Sequence, residues 1–157
     1  MIKYYAYGSN MDLAQITDRI GRCPQREPGT LRGYVLRFNK QAWKKPGQAF
    51  ANIEESKGEA APGILYDITE AELEIIDGYE SVKFDHYERH SVLVETSAGE
   101  VVQAVAHVAC EGRIQEGLLP TRKYLNRLLA GAELLPDDHV QWLQQQDVLD
   151  SSEGGDE

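Results

Sequence analysis

Cysteine is scarce in this sequence and long apolar runs are missing, and both features exclude whole classes of protein. The two cysteines among the 157 residues, Cys23 and Cys110, form no Cys-x-x-Cys pair. This argues against zinc ribbons, redox dithiols and disulfide frameworks, and it is typical of a reducing compartment. Residues 1–5 lack the apolar stretch of a signal peptide, and no run of about eighteen apolar residues is present. We therefore expect a cytoplasmic protein with no membrane partner.

Positive charge is also scarce. The chain carries 16 Lys and Arg against 26 Asp and Glu, which gives a formal net charge of −10. Proteins that bind nucleic acids need clustered basic side chains to neutralise phosphates. Here the basic residues are scattered, as expected for a solvated surface: Arg19, Arg22, Arg26, Lys44 and Lys45. No nucleic-acid partner is expected, and the sequence gives no indication of an oligomeric state.

The chain is predicted to form one domain over residues 1–149, followed by a disordered acidic tail. Residues 150–157 contain no apolar side chain, so they have nothing to bury that would offset the entropy cost of ordering. No linker rich in Pro, Gly or Ser divides the residues before them. A chain of this length buries roughly two-thirds of its unfolded surface, so it needs neither a metal ion nor a disulfide for stability.

The order of predicted elements indicates the fold class. After a strand over residues 2–6 and a helix that ends at Gly21, the pattern predicts a turn over residues 24–29 and a strand over residues 31–38. A short apolar run follows at residues 50–53, and a further strand is predicted over residues 63–68. The C-terminal part continues with a hairpin and two helices, at about residues 86–96 and 101–110, 121–130 and 137–143. Strands joined by tight turns favour an α+β fold, with a mixed, mainly antiparallel, barrel-like sheet and peripheral helices.

The loop between the first strand and the first helix is a candidate binding site. It contains Tyr7-Gly8-Ser9-Asn10. Unpaired backbone N–H groups before a helix attract negative charge, and a glycine lets the backbone approach a carboxylate or an oxyanion closely. Alternatively, Gly8 only forms the turn, and Asn10 or Asp12 only caps the helix. Ser9 lacks the Gly-x-Ser-x-Gly context of a nucleophile, so its hydroxyl is expected to orient a ligand or help cap the helix.

Glu80 is the candidate acid/base. A capping box at Thr69 and Glu72 predicts a helix that stops near Gly78, which places Glu80 in or just beyond its last turn. The neighbouring aromatic residues favour an apolar cleft in which a carboxylate can take up and return a proton: Tyr79, Phe84 and Tyr87. The alternative is a surface ion pair, for instance with Lys83.

The histidines are not expected to form a metal site. His86 and His90 would share one face of a strand, but at roughly 13 Å apart they are too distant to share an ion. In the second strand of the hairpin, alternate apolar residues should face the core, namely Val102, Ala104, Ala106, Val108 and Cys110. This pattern puts His107 on the opposite face.

Taken in order, these motifs resemble the gamma-glutamylcyclotransferase-like family. The resemblance rests on Tyr5-Ala6-Tyr7-Gly8-Ser9-Asn10 before a helix, on Glu80 after a capped helix, and on Tyr87 seven residues later. It extends over the strand at residues 62–66 and the helix that contains Tyr124, and it leaves out only the acidic tail.

The resemblance implies a compact mixed barrel in which Glu80 is the catalytic residue. The substrate-binding residues that it implies are Tyr7, Gly8, Ser9, Asn10, Met11, Tyr87 and Tyr124. One position departs from the family, because many members have glycine directly after the catalytic glutamate and this chain has Ser81. A serine there can narrow the cleft or change the preferred leaving group.

The chemistry that the resemblance implies is a cyclisation that needs neither a cofactor nor a metal. The α-amino group of a small γ-glutamyl substrate attacks its own γ-carbonyl, and Glu80 moves the protons. The products are 5-oxoproline and a free amino acid or amine, and the sequence does not decide which. The alternative is a non-catalytic module that binds γ-glutamyl or other small molecules on the same fold, although the presence of Glu80 counts against it.

Overall fold

A computed structural model describes residues 1–149. The predicted acidic tail, residues 150–157, lies outside the described residues. Five strands occur in the described part: β1 (Ile2–Ala6), β2 (Arg26–Gln41), β3 (Ala49–Ile68), β4 (Tyr87–Thr96) and β5 (Val101–Ala109). Its four α-helices are α1 (Leu13–Ile20), α2 (Glu70–Tyr79), α3 (Arg122–Leu129) and α4 (Asp137–Gln144). Short 3₁₀ turns lie at Ser9–Met11, Val82–Phe84, Glu111–Arg113 and Ala132–Leu134.

The strands close into a barrel in the order β1-β3-β2-β4-β5. Neighbouring strands are antiparallel except β1 and β5, which pair in parallel where Tyr4 meets Val105. The predicted α+β class, with a mixed, mainly antiparallel barrel and peripheral helices, is confirmed. Because β1 lies between β3 and β5, the loop after β1 is held close to residues of both strands.

The long pair β2 and β3 differs from the prediction in two ways. The turn predicted over residues 24–29 is wrong from Arg26 onward, because β2 already begins there and Pro28 and Gly29 pair with β3. The apolar run at residues 50–53 and the strand predicted at residues 63–68 belong to the single strand β3. Residues 54–59 between them are polar and mostly face solvent; Glu54 and Glu55 still pair with β2, and the pairing resumes at Ala60 after a register shift. An apolar pattern alone does not detect such a segment.

Capping residues set the start of α1, the helix next to the loop, and of α2, the helix that precedes Glu80. Asp12 caps α1 by accepting a hydrogen bond from the N–H of Ala14 at 3.1 Å, and Gly21 ends α1 with a φ of 81°. At α2 the predicted capping box is present, with Thr69 and Glu72 bonded in both directions. Within residues 1–149, none of the helices has both the length and the apolar character needed to cross a membrane.

His86 does not share a strand with His90. It lies just before β4 and is buried, with its ring stacked on Trp43 at 4.6 Å and its Nδ1 at 2.7 Å from the Nζ of Lys40. The two αL residues Ser81 and Asp85 turn the chain between α2 and this point. The prediction of a common strand face for the two histidines is therefore wrong.

Candidate active site

A cleft lies where the loop after β1 meets the C-terminal end of α2. Glu80 lines it, and so do the loop residues Tyr7, Gly8, Ser9 and Asn10. The predicted pocket tyrosines Tyr87 and Tyr124 line it as well. The cleft is narrow, with a cavity volume of about 40 Å³, which is a few times the roughly 10–15 Å³ that one water molecule needs. The structure thus brings together seven of the eight residues that the sequence suggested for the site.

Met11 is the exception. Its side chain is fully buried, and its backbone N–H donates to the carbonyl of Gly8 at 3.0 Å inside the 3₁₀ turn. Met11 therefore does not line the cleft, and its N–H is already used within the turn. Met11 is thus the one predicted binding residue that this cleft does not include, and the loop amides left for a ligand belong to earlier positions.

Glycine is needed at position 8 because the backbone there lies close to the side chains of Tyr124 and Ala51. The φ of Gly8 is −114°, outside the left-handed region. A Cβ at this position would lie 3.1 Å from the Oη of Tyr124 and 3.3 Å from the Cβ of Ala51. Such contacts are tighter than ordinary van der Waals distance, so a side chain here would displace the pocket wall.

The carboxylate of Glu80 faces the loop and α1. Its Oε1 accepts a hydrogen bond from the Nδ2 of Asn10 at 3.3 Å and lies 3.8 Å from the Nη1 of Arg19. Glu80 directly follows α2, which ends at Tyr79. Its backbone N–H donates to the carbonyl of Ile76 at 2.9 Å and so ties Glu80 to the last turn of the helix. The ion-pair partner is thus Arg19 and not Lys83, the example that the sequence offered.

Arg19 is not a solvated surface residue, contrary to the prediction. Only 8% of its side chain is exposed, and its guanidinium lies 4.5 Å from the ring centre of Tyr79. Its Nη1 donates to the Oδ1 of Asn10 at 3.0 Å. The signal that could have found it is helical spacing, because Arg19 follows the buried Gln15 by four residues on α1.

Asn10 joins these groups into one network. Its Oδ1 accepts from Arg19 and from the Nε2 of Gln15, the latter at 3.3 Å, and its Nδ2 donates to the Oη of Tyr4 at 3.1 Å and to Glu80. Its backbone carbonyl accepts from the Oη of Tyr66 at 2.7 Å. A side chain with both a donor and an acceptor group is needed for this arrangement, which a carboxylate or an aliphatic residue cannot reproduce.

Hydrogen bonds of tyrosine hydroxyls hold together the wall of the cleft that contains Ala51. The Oη of Tyr87 donates to the carbonyl of Ala51 at 2.7 Å, and the N–H of Ala51 donates to the Oη of Tyr124 at 2.9 Å. Tyr7 donates to the carbonyl of His107 at 2.5 Å. Burial raises the pKa of Tyr7 well above its usual value, and it raises the pKa of Tyr4 as well. Both hydroxyls are therefore neutral at physiological pH.

His107 is a cleft residue that strand alternation did not single out, because the pattern on β5 puts it on the face opposite the apolar core set. It is 3% exposed, and its Nε2 lies 2.7 Å from the Oδ1 of Asp77 on α2. Arg89 holds the other oxygen of Asp77, with Nη2 at 2.6 Å. Burial acts to raise the pKa of Asp77, but hydrogen bonds from Arg89 and His107 outweigh it and lower that pKa. His107 is buried although it lies opposite the apolar core set, because Asp77 of α2 packs against this face.

No metal-binding cluster is found in the described part of the chain. Among residues 1–149, no three His, Cys, Asp or Glu side chains come together in a way that could hold an ion.

The barrel with a lone glutamate facing a Tyr-Gly-Ser-Asn loop defines a class, the gamma-glutamyl cyclotransferase-like fold. A solved structure described as gamma-glutamyl cyclotransferase superposes with a TM-score of 0.84 at 23% identity, over 98% of this chain and 92% of that one. An uncharacterized protein from Homo sapiens gives 0.84 at 22% identity, over 98% and 92%. A yeast gamma-glutamyl cyclotransferase specific to glutathione gives 0.65 at 13% identity, over 90% and 93%.

The chain belongs to the AIG2-like family, whose family model matches residues 62–143. Among curated proteins, none matches the chain at a significant level. The identities to the solved structures are low, so those structures establish the fold and not the substrate. The resemblance found in the sequence is confirmed at the level of family and fold.

Proposed function

We propose that this protein cyclises a γ-glutamyl amine or γ-glutamyl amino acid to 5-oxoproline and releases the free amine, with Glu80 as general acid and base. The observation that carries the proposal is the convergence of the Glu80 carboxylate and the loop residues Gly8 to Asn10 on one cleft. The names of two structural neighbours, gamma-glutamyl cyclotransferase and the glutathione-specific yeast enzyme, support the same reaction class.

The proposed reaction needs only proton transfer and positioning. Glu80 takes a proton from the α-ammonium group of the substrate, and the free amine attacks the γ-carbonyl carbon to close a five-membered ring. The bond from that carbon to the amide nitrogen then breaks. Glu80 returns its proton to the departing nitrogen, which regenerates the carboxylate. The ring nitrogen gives up its second proton to the released amine, so the products are neutral-lactam 5-oxoproline and an ammonium group. No water is consumed, which makes the step a lyase-type cyclisation and not a hydrolysis.

The loop would hold negative charge during this reaction. The backbone amides of Ser9 and Asn10 are the candidates, since the amide of Met11 is bonded to Gly8. They would bind either the developing oxyanion or the substrate's α-carboxylate. A donor of the first kind is typically worth roughly 3 kcal/mol of barrier.

Arg19 and Asn10 would set the direction of the Glu80 carboxylate. Both contact the same oxygen, Oε1. This leaves the second oxygen, Oε2, as the atom that exchanges protons with the substrate. A positioned carboxylate of this kind typically contributes a factor of roughly 100 to 10,000 in rate.

The test is a substrate panel with product identification. Purified protein is incubated with γ-glutamyl-alanine, γ-glutamyl-ε-lysine and glutathione, and 5-oxoproline and glutamate are separated by chromatography. The proposal expects 5-oxoproline from at least one member and no glutamate. Glutamate as the product would indicate a hydrolase. Tight binding without any product over hours would favour the non-catalytic module instead.

A further inference from the structure

One cleft residue, His107, has a buried ring nitrogen without a partner among residues 1–149. The Nδ1 atom of His107 is buried and makes no hydrogen bond to any of residues 1–149, whereas the Nε2 atom of the same ring contacts Asp77. Buried polar atoms are nearly always bonded, because leaving one unsatisfied costs free energy. The other polar side chains around it, Tyr4, Tyr7 and Asn10, all have partners.

The partner of Nε2 determines what Nδ1 can do. The carboxylate of Asp77 is ionised, since the hydrogen bonds from Arg89 and His107 lower its pKa below an already acidic value. An ionised carboxylate only accepts hydrogen bonds, so Nε2 of His107 must carry the proton. In the neutral ring, Nδ1 is then a lone-pair acceptor. It needs a donor.

His107 and Glu80 line the same cleft. The partner of Nε2, Asp77, precedes Glu80 by three residues near the end of α2. The His107 ring also contacts the Tyr4 ring edge-on, with centroids 5.7 Å apart, and the Tyr4 hydroxyl shares Asn10 with Glu80. The hydroxyl of Tyr7 fixes the His107 backbone. Asp77 of α2 and Tyr4 of β1 therefore both hold the imidazole in place.

We propose that His107 is a substrate-binding residue whose Nδ1 accepts a hydrogen bond from the α-ammonium group of the γ-glutamyl substrate. This inference rests on the proposed function. A γ-glutamyl compound brings an α-carboxylate and a γ-carbonyl, which only accept, and it donates through its α-ammonium group and its amide N–H. The ammonium group has three N–H bonds, so it can face Glu80 and His107 at the same time.

The test compares ligands with and without the α-amino group. Glutaryl-alanine has the carboxylate and the amide of γ-glutamyl-alanine but no amine. Binding of both is measured by calorimetry to an E80Q background, in which turnover is suppressed. We expect γ-glutamyl-alanine to bind at least about tenfold more tightly, which corresponds to about 1.4 kcal/mol. In E80Q/H107Q this preference should fall to near unity.

Two further variants make the comparison specific. Glutamine places its amide nitrogen near the position of Nε2, so H107Q can keep the bond to Asp77 while it loses the Nδ1 acceptor. H90Q changes a half-exposed histidine on the neighbouring strand and should leave the preference unchanged. If E80Q/H107Q unfolds, ¹⁵N spectra of the E80Q histidines replace it. The Nδ1 signal of His107 should then move with γ-glutamyl-alanine and not with glutaryl-alanine.

The outcomes separate the two proposals. An unchanged preference in E80Q/H107Q, or an Nδ1 signal that neither ligand moves, overturns the role of His107 and leaves the cyclisation standing. A loss of preference that H90Q also shows would overturn it too. Failure of both ligands to bind at all would overturn the proposed function, and with it the partner assigned to His107.

Discussion

At the scale of the residue, the site depends on how one carboxylate is held. Glu80 is contacted on Oε1 by Asn10 and Arg19, and Arg19 lies over the ring of Tyr79. None of these contacts could be read from residue types alone, because Arg19 looks like any other basic residue in the sequence. The positions of Glu80 and of the Tyr-Gly-Ser-Asn loop could be read, since a capping box and a strand-to-helix junction are local signals.

Arg19→Lys should lower kcat by about tenfold or more while it changes KM less. Lysine keeps the charge, but it lacks the planar fork that bonds Asn10 and faces Glu80 together, and it stacks less well on Tyr79. Steady-state kinetics with the active γ-glutamyl compound, together with the pH profile of kcat, measure the effect. Arg37→Lys, at a half-exposed position, is the control. An Arg19→Lys protein with the kcat of the wild type would show that Arg19 does not position the carboxylate.

Ser81→Gly should stabilise the protein by up to about 1 kcal/mol. Ser81 has a φ of 54°, in the left-handed region where a Cβ is strained and glycine is not. This is the position at which many members of the gamma-glutamylcyclotransferase-like family have glycine. Urea unfolding measures the change. Ser91→Gly, in the interior of β4, should instead destabilise, and equal losses in both variants would count against strain at Ser81.

At the scale of the element, α2 and β5 together build one side of the cleft. The capping box, the end of α2 and the placement of Glu80 beyond it were all predictable. The burial of His107 was not, because alternation in a strand gives the two faces of the strand but does not show that a helix covers the second one. Here Asp77 of α2 reaches across to His107. A contact of this kind joins residues thirty positions apart and leaves no local pattern.

Gly63→Ala should destabilise the protein by about 1–3 kcal/mol or more and reduce activity, because β1 and β3 cannot separate without moving the loop. A Cβ at Gly63 would lie 2.5 Å from the carbonyl oxygen of Ala6 and 2.7 Å from the ring of Tyr5. Ala6 lines the cleft. Thermal unfolding and kinetics measure both effects.

The matched control for this variant is Gly112→Ala. A Cβ at Gly112 meets nothing within 4 Å. Its stability should stay within about 0.5 kcal/mol of the wild type. A Gly63→Ala protein as stable as Gly112→Ala would contradict the close approach of β1 and β3.

At the scale of the whole molecule, barrel closure is what brings distant segments together. Sequence patterns predicted the class of sheet, because tight turns and alternation are local. The parallel pairing of β1 with β5 depends on residues about a hundred positions apart, so no local pattern carries it. The same closure places Tyr7 against the backbone of His107.

Stability should fall as the pH is lowered from about 6.5 to about 4. Burial, with the charges of Lys40 and Arg113, lowers the pKa of His86 to about 4, and burial lowers the pKa of His139. The unfolded chain binds protons near pH 6.5, so in this window it holds more protons than the native state. The free energy of unfolding therefore decreases as pH falls, by up to about 1.4 kcal/mol per pH unit for each histidine.

Urea unfolding between pH 7 and pH 5 measures this slope, above the range in which most carboxylates titrate. His86→Gln should flatten it, although this variant is less stable overall. His90→Gln, at a half-exposed site, should keep the slope of the wild type. A His86→Gln protein with an unchanged slope would contradict the assignment.

The central claim is that Glu80 moves the protons in the cyclisation of a γ-glutamyl substrate. The most direct measurement follows 5-oxoproline and released amine in parallel for the wild type, for Glu80→Gln and for Glu74→Gln, which changes an exposed glutamate on α2. The account predicts that the wild type forms 5-oxoproline and released amine in equal amounts, and that Glu74→Gln does the same. Glu80→Gln should fold normally and lose a factor of roughly 100 or more in rate. A Glu80→Gln protein that forms 5-oxoproline at the rate of the wild type would contradict the account.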